Sequence, residues 1–356
     1  MFYCRSNNNA VITGGTLTQK SNHNDTTERF KKIQSSLTNV KLVNTSGLEL
    51  RLESAASLSA VDIGGKLQVG ANTTVSGAST VSGTVEVLAG KSLQMSGAAT
   101  ITGAADVGGT LSTGADSTIT TLSGSGTLKT TAGKTTVSSA SGFSGTLEAT
   151  GGKLEATTTG SQSIAALTAN GGNIDVFGVT SLTVKDMVIG DGSTVGVYSG
   201  ANASTSEAGL NISGSADAKA SLTIGSGATL NTNLSLWNAK LTFQDGALAM
   251  GSSLTLILDG SSELYINIGT MKPGESLTLF TGVDQFQASA DAATIDEASK
   301  VFGNLTAGDF KLTYSGANSD GIVALVAQRA VPEPTTATLS LLALMGLAAR
   351  RRRRKA

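Results

Sequence analysis

The residue types that most often carry chemistry are sparse in this chain. His23 is the single histidine and sits in a polar segment among Ser21, Asn22, Asn24 and Asp25. A general base needs a nucleophile within hydrogen-bond reach, and no patterned Ser or Cys accompanies it, so it reads as a solvated loop residue. Cys4 is the only cysteine, which excludes an intrachain disulfide, and no Cys/His cluster has metal-ligand spacing. Carboxylates are the remaining option for acid–base work. Asp175, Asp186 and Asp191 lie close in sequence, and Asp284, Asp291, Asp296 and Glu297 cluster further on. Glycoside hydrolysis requires two carboxyl groups at a defined separation, which proximity in sequence does not supply. These acids read as solvated turn residues.

Other short patterns fail in similar ways. Gly190-Asp191-Gly192-Ser193 and Asp259-Gly260-Ser261-Ser262 do not meet the nine-residue calcium-roll pattern and are expected to be ordinary turns. Gly90-Lys91-Ser92 lacks the upstream Gly of a phosphate-binding loop. Trp237 and Tyr198 could each stack on a sugar, although single aromatics more often pack. No catalytic, cofactor-binding or metal-binding residue is assigned, and the chain is expected not to be an enzyme.

The elements available to hold any site follow from composition. The 356 residues include 44 Gly and only 3 Pro, with aromatics at 4% and charged residues at 14%. Hydrophobic residues make up 39% and the net charge is -1, against the low hydrophobicity and high charge of disordered chains. A packed, lightly built fold is expected. The charge is unevenly placed, because Arg350 to Lys355 hold six of the 25 basic residues, leaving 19 against 26 acids. An acidic body with few aromatics argues against nucleic acid as a partner.

From about Val40 the hydrophobic pattern has a period of two, clearest in Gly47-Leu48-Glu49-Leu50-Arg51-Leu52-Glu53. Alternate side chains of a strand face opposite ways, so such segments are half-buried strands. The pattern returns at 65–69, 84–87, 152–156 and 181–184. Its inward residues recur, with Leu67 to Val85 and Leu93 to Leu111 each 18 apart, Leu111 to Leu128 17, and Leu128 to Leu147 19. That spacing suits one coil of a β-solenoid or a β-meander module. The repeated Gly108-Gly109-Thr110-Leu111, Gly126-Thr127-Leu128 and Gly145-Thr146-Leu147 resemble the strand repeats of autotransporter passengers. A true autotransporter would also carry a membrane barrel of amphipathic strands, and residues 331–356 contain none.

Gly thins beyond Ser253, and Leu254-Thr255-Leu256-Ile257-Leu258 and Glu263 to Ile268 read as longer strands. Lys272-Pro273-Gly274-Glu275 reads as a turn. Short helices are weighed at Thr26 to Ile33 and Ala288 to Gly303, and a hairpin at Lys311 to Tyr314 with Gly321 to Val326. The expected fold is therefore all-β: a Gly/Ser/Thr-rich, β-helix-like solenoid, a small β-rich C-terminal module that caps it, and a C-terminal hydrophobic helix. The expected division is an irregular segment at 1–40, the strand repeats at 41–252, the β-rich module at 253–330 and a tail at 331–356.

The tail has three parts in fixed order. Val331-Pro332-Glu333-Pro334 ends the body with prolines that cannot extend a ladder. Thr335 to Ala349 is uncharged, with its apolar bulk in Leu339, Leu341, Leu342, Leu344, Met345 and Leu347. As a helix those residues would span about 22 Å, short of the ~30 Å hydrocarbon core, which suits a transient membrane segment better than a lasting anchor. Arg350, Arg351, Arg352, Arg353, Arg354 and Lys355 follow at once, a cluster that stays on the cytoplasmic side.

This triple resembles the PEP-CTERM sorting signal of Gram-negative envelope proteins. The resemblance implies recognition by an exosortase-type transpeptidase that cuts at or near Pro332-Glu333-Pro334, with the precursor held transiently in the inner membrane and the mature form at the outer surface or beyond. Residues 331–334 are then substrate. Met1 to Asn7 shows no apolar signal-peptide core, so the true start is expected upstream or the chain is a fragment. The function expected from these features is a structural or adhesive protein of the envelope or extracellular matrix, with surface glycans or other matrix proteins as candidate partners. The alternative is a glycan-binding or glycan-active β-helix.

Overall fold

Alternation of side chains sets the strands, and recurrence of the alternation stacks them. In Glu49–Leu52 the two leucines are buried and the alternate residues, Glu49 and Arg51, are half-buried. The same in–out pattern marks Lys66–Val69, Thr84–Val87, Thr110–Thr113, Thr127–Thr130 and Thr146–Ala149. The computed structural model describes residues 11–19, 32–33, 36–201, 208–215, 217–243, 248–258, 263–266, 276–288, 310–315 and 324–329. These residues form a β-solenoid of about 10 turns, with no helix among them.

Each turn contributes a strand to each of three parallel ladders. The first runs through Glu49, Lys66, Thr84 and Ala104. The second runs through Leu93, Leu111, Leu128 and Leu147, and the third through Thr80, Thr100, Thr118 and Thr136. The residues whose spacing suggested the repeat are thus direct partners: Leu67 stacks on Val85, Leu93 on Leu111, Leu111 on Leu128 and Leu128 on Leu147.

Inward side chains of the ladders fill one continuous core in which Leu67, Val85, Leu111, Ile119, Leu128 and Val137 are wholly buried. Stacked β-branched and leucine side chains suit it because strands lie about 4.8 Å apart and equivalent residues pack in ranks. Aromatic residues are few in it: Phe143 is wholly buried, and Phe243 meets Phe280 edge to face with centroids 5.4 Å apart. The corners carry the polar atoms. Ser79 and Ser117 are buried, and their hydroxyls accept hydrogen bonds from the amides of Val61 at 3.0 Å and Ala99 at 3.1 Å. Thr113 and Thr135 share a hydroxyl hydrogen bond of 2.6 Å inside the core.

One corner explains the repeated Gly-Thr-Leu. Gly126 lies on the carbonyl of Gly109, Gly145 lies on the carbonyl of Gly126, and a Cβ at either would run into that oxygen. The following amides, those of Thr127 and Thr146, donate to the same carbonyls at 2.7 and 2.8 Å. Glycine is required there by close backbone approach.

Two features depart from the simple repeat. Lys153–Ala169 and Asn173–Ile189 are 17-residue strands that serve more than one ladder. The step between stacked partners then lengthens, from 20 for Ile164 and Val184 to 28 for Leu182 and Leu210 and 35 for Met187 and Leu222. The parallel ladder continues through Leu248–Leu258 to Ser276–Ala288. There the sense changes: Ala324–Arg329 pairs antiparallel with Ser276–Ala288 on one side and with Phe310–Ser315 on the other. This is the hairpin expected near residues 311–326. Of the two short helices weighed, the first ends in a strand at Lys32–Ile33, and Ala288 closes a strand. The rest of both segments, and the Lys272 to Glu275 turn, lie outside the described residues.

Candidate functional site

Side chains that alternate outward from stacked strands form ranks on the surface, and opposite charges in neighbouring ranks are within reach of one another. Lys134 and Lys153 are ladder partners, as are Glu155 and Asp175. Glu155 receives Lys134 at 2.8 Å and Lys153 at 2.9 Å, and Lys153 also reaches Asp175 at 2.8 Å. Burial pushes the Glu155 carboxyl up, but the hydrogen bonds from Lys134 and Lys153 outweigh it and hold it below the usual carboxylate range. Burial likewise pulls the Lys153 ammonium down, and Asp175 and Glu155 together raise it.

A second group joins Lys66 to Glu86 at 2.6 Å, with the Gln68 amide donating to Glu86 at 2.8 Å. The Glu86 hydrogen bond raises Lys66, and Glu86 is held low by Lys66 and Gln68 against the opposing effect of burial. Lys129 and Glu148 repeat the arrangement at 2.8 Å. These charges are neutralised by partners on neighbouring turns, the arrangement of a structural clasp between coils.

The carboxylates that lie close in sequence do not converge. Asp175 is a buried strand residue tied to Lys153, which corrects its reading as a solvated turn. Asp186 is likewise a strand residue and not a turn residue, though exposed, and accepts from the Ser221 hydroxyl at 2.8 Å, whereas Asp191 sits in a turn and accepts from the Ser226 amide at 2.8 Å. Gly190 to Ser193 is a turn, closed by the Ser193 amide on the Gly190 carbonyl. Gly90-Lys91-Ser92 is another corner, where the Ser92 amide donates to the Asn72 side chain at 3.1 Å. Tyr198 is buried and stacked on Phe177, centroids 5.4 Å apart, so its ring is not offered to a sugar. Trp237 is 43% exposed.

A groove of about 460 Å³ crosses successive turns at the corner lined by Asn72, Lys91, Ser92, Thr110, Thr127 and Thr146. Neither a carboxylate nor an aromatic lines it. Among the described residues no group of three His, Cys, Asp or Glu could hold a metal ion. His23, Cys4, Asp291, Asp296, Glu297 and Asp259 to Ser262 lie outside them, and Asp284 is placed in a strand by its backbone alone.

The last described strand ends at Arg329, and the Pro-Glu-Pro, apolar and basic segments follow it. Residues 330–354 match the model of the PEP-CTERM protein-sorting motif. The chain carries a PEP-CTERM motif. This motif implies an exported, envelope-associated protein whose sorting depends on an exosortase-type processing enzyme. The match spans Val331 to Pro334, the apolar residues from Leu339 to Leu347 and Arg350 to Arg354. All of these, with Lys355, lie outside the described residues. No curated protein and no solved structure matches the chain.

The inter-turn ion pairs are the residues that sequence reasoning missed. Their signal was present as Lys129 and Glu148, 19 apart in the same Leu-flanked position. Reading the charged residues at the period already found for the leucines would have paired them.

Proposed function

We propose that this PEP-CTERM protein is a non-enzymatic structural element of the cell envelope or extracellular matrix, a rigid solenoid stalk delivered by its tail. The observation that carries the reading is the combination of a sorting motif with a body in which Lys66, Lys129, Lys134 and Lys153 each meet a carboxylate of a neighbouring turn. Lys134, Lys153, Glu155 and Asp175 neutralise one another, and Asp186 and Asp191 are spent on Ser221 and Ser226. A glycan-active β-helix would gather carboxylates and aromatics in a groove, and the groove at Lys91 has neither. Surface glycans and other matrix proteins are the partners this role would bring within reach, along outward faces rich in Thr and Ser.

Deleting the coding region and comparing envelope fractions tests the role. The reading expects loss of matrix mass or cohesion, restored by the full chain and by a variant with Asp175, Asp186 and Asp191 each changed to Asn. Restoration by the full chain and failure of the stably folded Asn variant would point to carboxylate chemistry instead.

A further inference from the structure

The strand Ala324–Arg329 is paired along both edges. Gln328 is opposite Ser276 on one side and Lys311 on the other, and Leu325 is opposite Phe280 and Tyr314. Its backbone amides and carbonyls are therefore committed to two ladders. Only Ala330 and Val331 separate Arg329 from Pro332, a reach of ~10 Å when fully extended. Enzymes that cut or transfer peptide segments take them extended, through main-chain hydrogen bonds over several residues. A segment already paired on both edges cannot also be offered in that way, and Pro332 stays within ~10 Å of its last residue.

We propose that docking of Ala324–Arg329 and processing of the sorting motif are mutually exclusive, so that the enzyme acts on chains whose last strand has not yet docked. Folding of the C-terminal hairpin then sets a time limit on sorting. This rests on the reading of residues 330–354 as a processed motif. Binding to a state that is only a fraction of the population is weakened by that fraction, so a docked form in roughly tenfold excess slows processing roughly tenfold.

Pulse-chase labelling of the full chain in its own host, with the mature C-terminus read by mass spectrometry, tests this. A flexible Gly/Ser spacer of roughly ten residues inserted after Arg329 reaches ~17 Å and is expected to speed processing roughly tenfold. Val326→Pro removes a donor from the twice-paired strand and is expected to act in the same direction without a spacer. Processing of both variants at the rate of the unaltered chain would overturn the proposal and leave the sorting reading intact. Acceleration by the spacer but not by Val326→Pro would place the obstruction in the bulk of the solenoid and overturn the role of docking. An unaltered chain that is never processed would overturn the sorting reading and this proposal with it.

Discussion

Threonine occupies both sides of the solenoid wall, and the inward ones separate by whether their hydroxyl finds a partner. Thr113 and Thr135 satisfy each other, whereas Thr130 is fully buried with no hydrogen-bond partner for its Oγ1. A buried hydroxyl without a partner costs ~1–3 kcal/mol, and removing half of a satisfied pair creates such a group. Thr130→Val is therefore expected to raise the unfolding free energy by ~1 kcal/mol, and Thr113→Val to lower it by ~1–2 kcal/mol. Urea titrations of the two variants should move in opposite directions. The clasps make a further prediction in pH. Glu86 and Glu155 are held below their ordinary 4.5, so their contribution is present above that value and lost as pH falls through the folded pKa. Lys66 and Lys153 are held above 10.5, so theirs is present below that value and lost as pH rises through the folded pKa. Stability from these groups is flat between the two limits. Glu155→Gln is expected to cost ~0.5–1 kcal/mol near neutrality and to shrink the acid-side loss, since Lys134 and Lys153 are partly exposed. A Tm profile across pH for both chains checks it.

At the scale of the element, the unit is one turn, and its boundaries are set by the stacked partners. Thr110 pairs with Thr127 and Gly109 underlies Gly126, so excising residues 110–126 joins two equivalent corners. In a quasi-one-dimensional fold each unit contacts only its neighbours. The shortened chain is expected to retain its strand signal by circular dichroism and a cooperative transition, whereas removing residues 110–118 should abolish the fold by shifting every later strand to the wrong ladder. The turn was legible in the leucine spacing because inward ranks must be apolar and Gly must recur where backbones touch. The long strands Lys153–Ala169 and Asn173–Ile189 were not, because small residues such as Gly160 and Ser161 continue a strand around a corner only through the ladder beside them. The lengthened steps to Leu210 and Leu222 were hidden by insertion between turns. The role of Asp175 was illegible too, since burial of an outward strand residue depends on what crosses over it.

The whole molecule joins a solenoid of about 10 turns to a terminal signal, and the two were unequally visible. The signal was legible residue by residue, because prolines, an apolar run and clustered arginines each act through local chemistry in a fixed order. The solenoid was legible as a fold class, and a partner was not, because outward ranks of Thr and Ser with charges drawn into pairs such as Lys129 and Glu148 carry little that names a ligand. Residues 330–354 are expected to direct export and to be processed. Cell fractionation followed by sequencing of the mature C-terminus tests this most directly. Surface or extracellular protein ending at or near Pro332 to Pro334 and lacking Arg350 to Lys355 is expected; mature surface protein that keeps its Arg350 to Lys355 tail would rule this out.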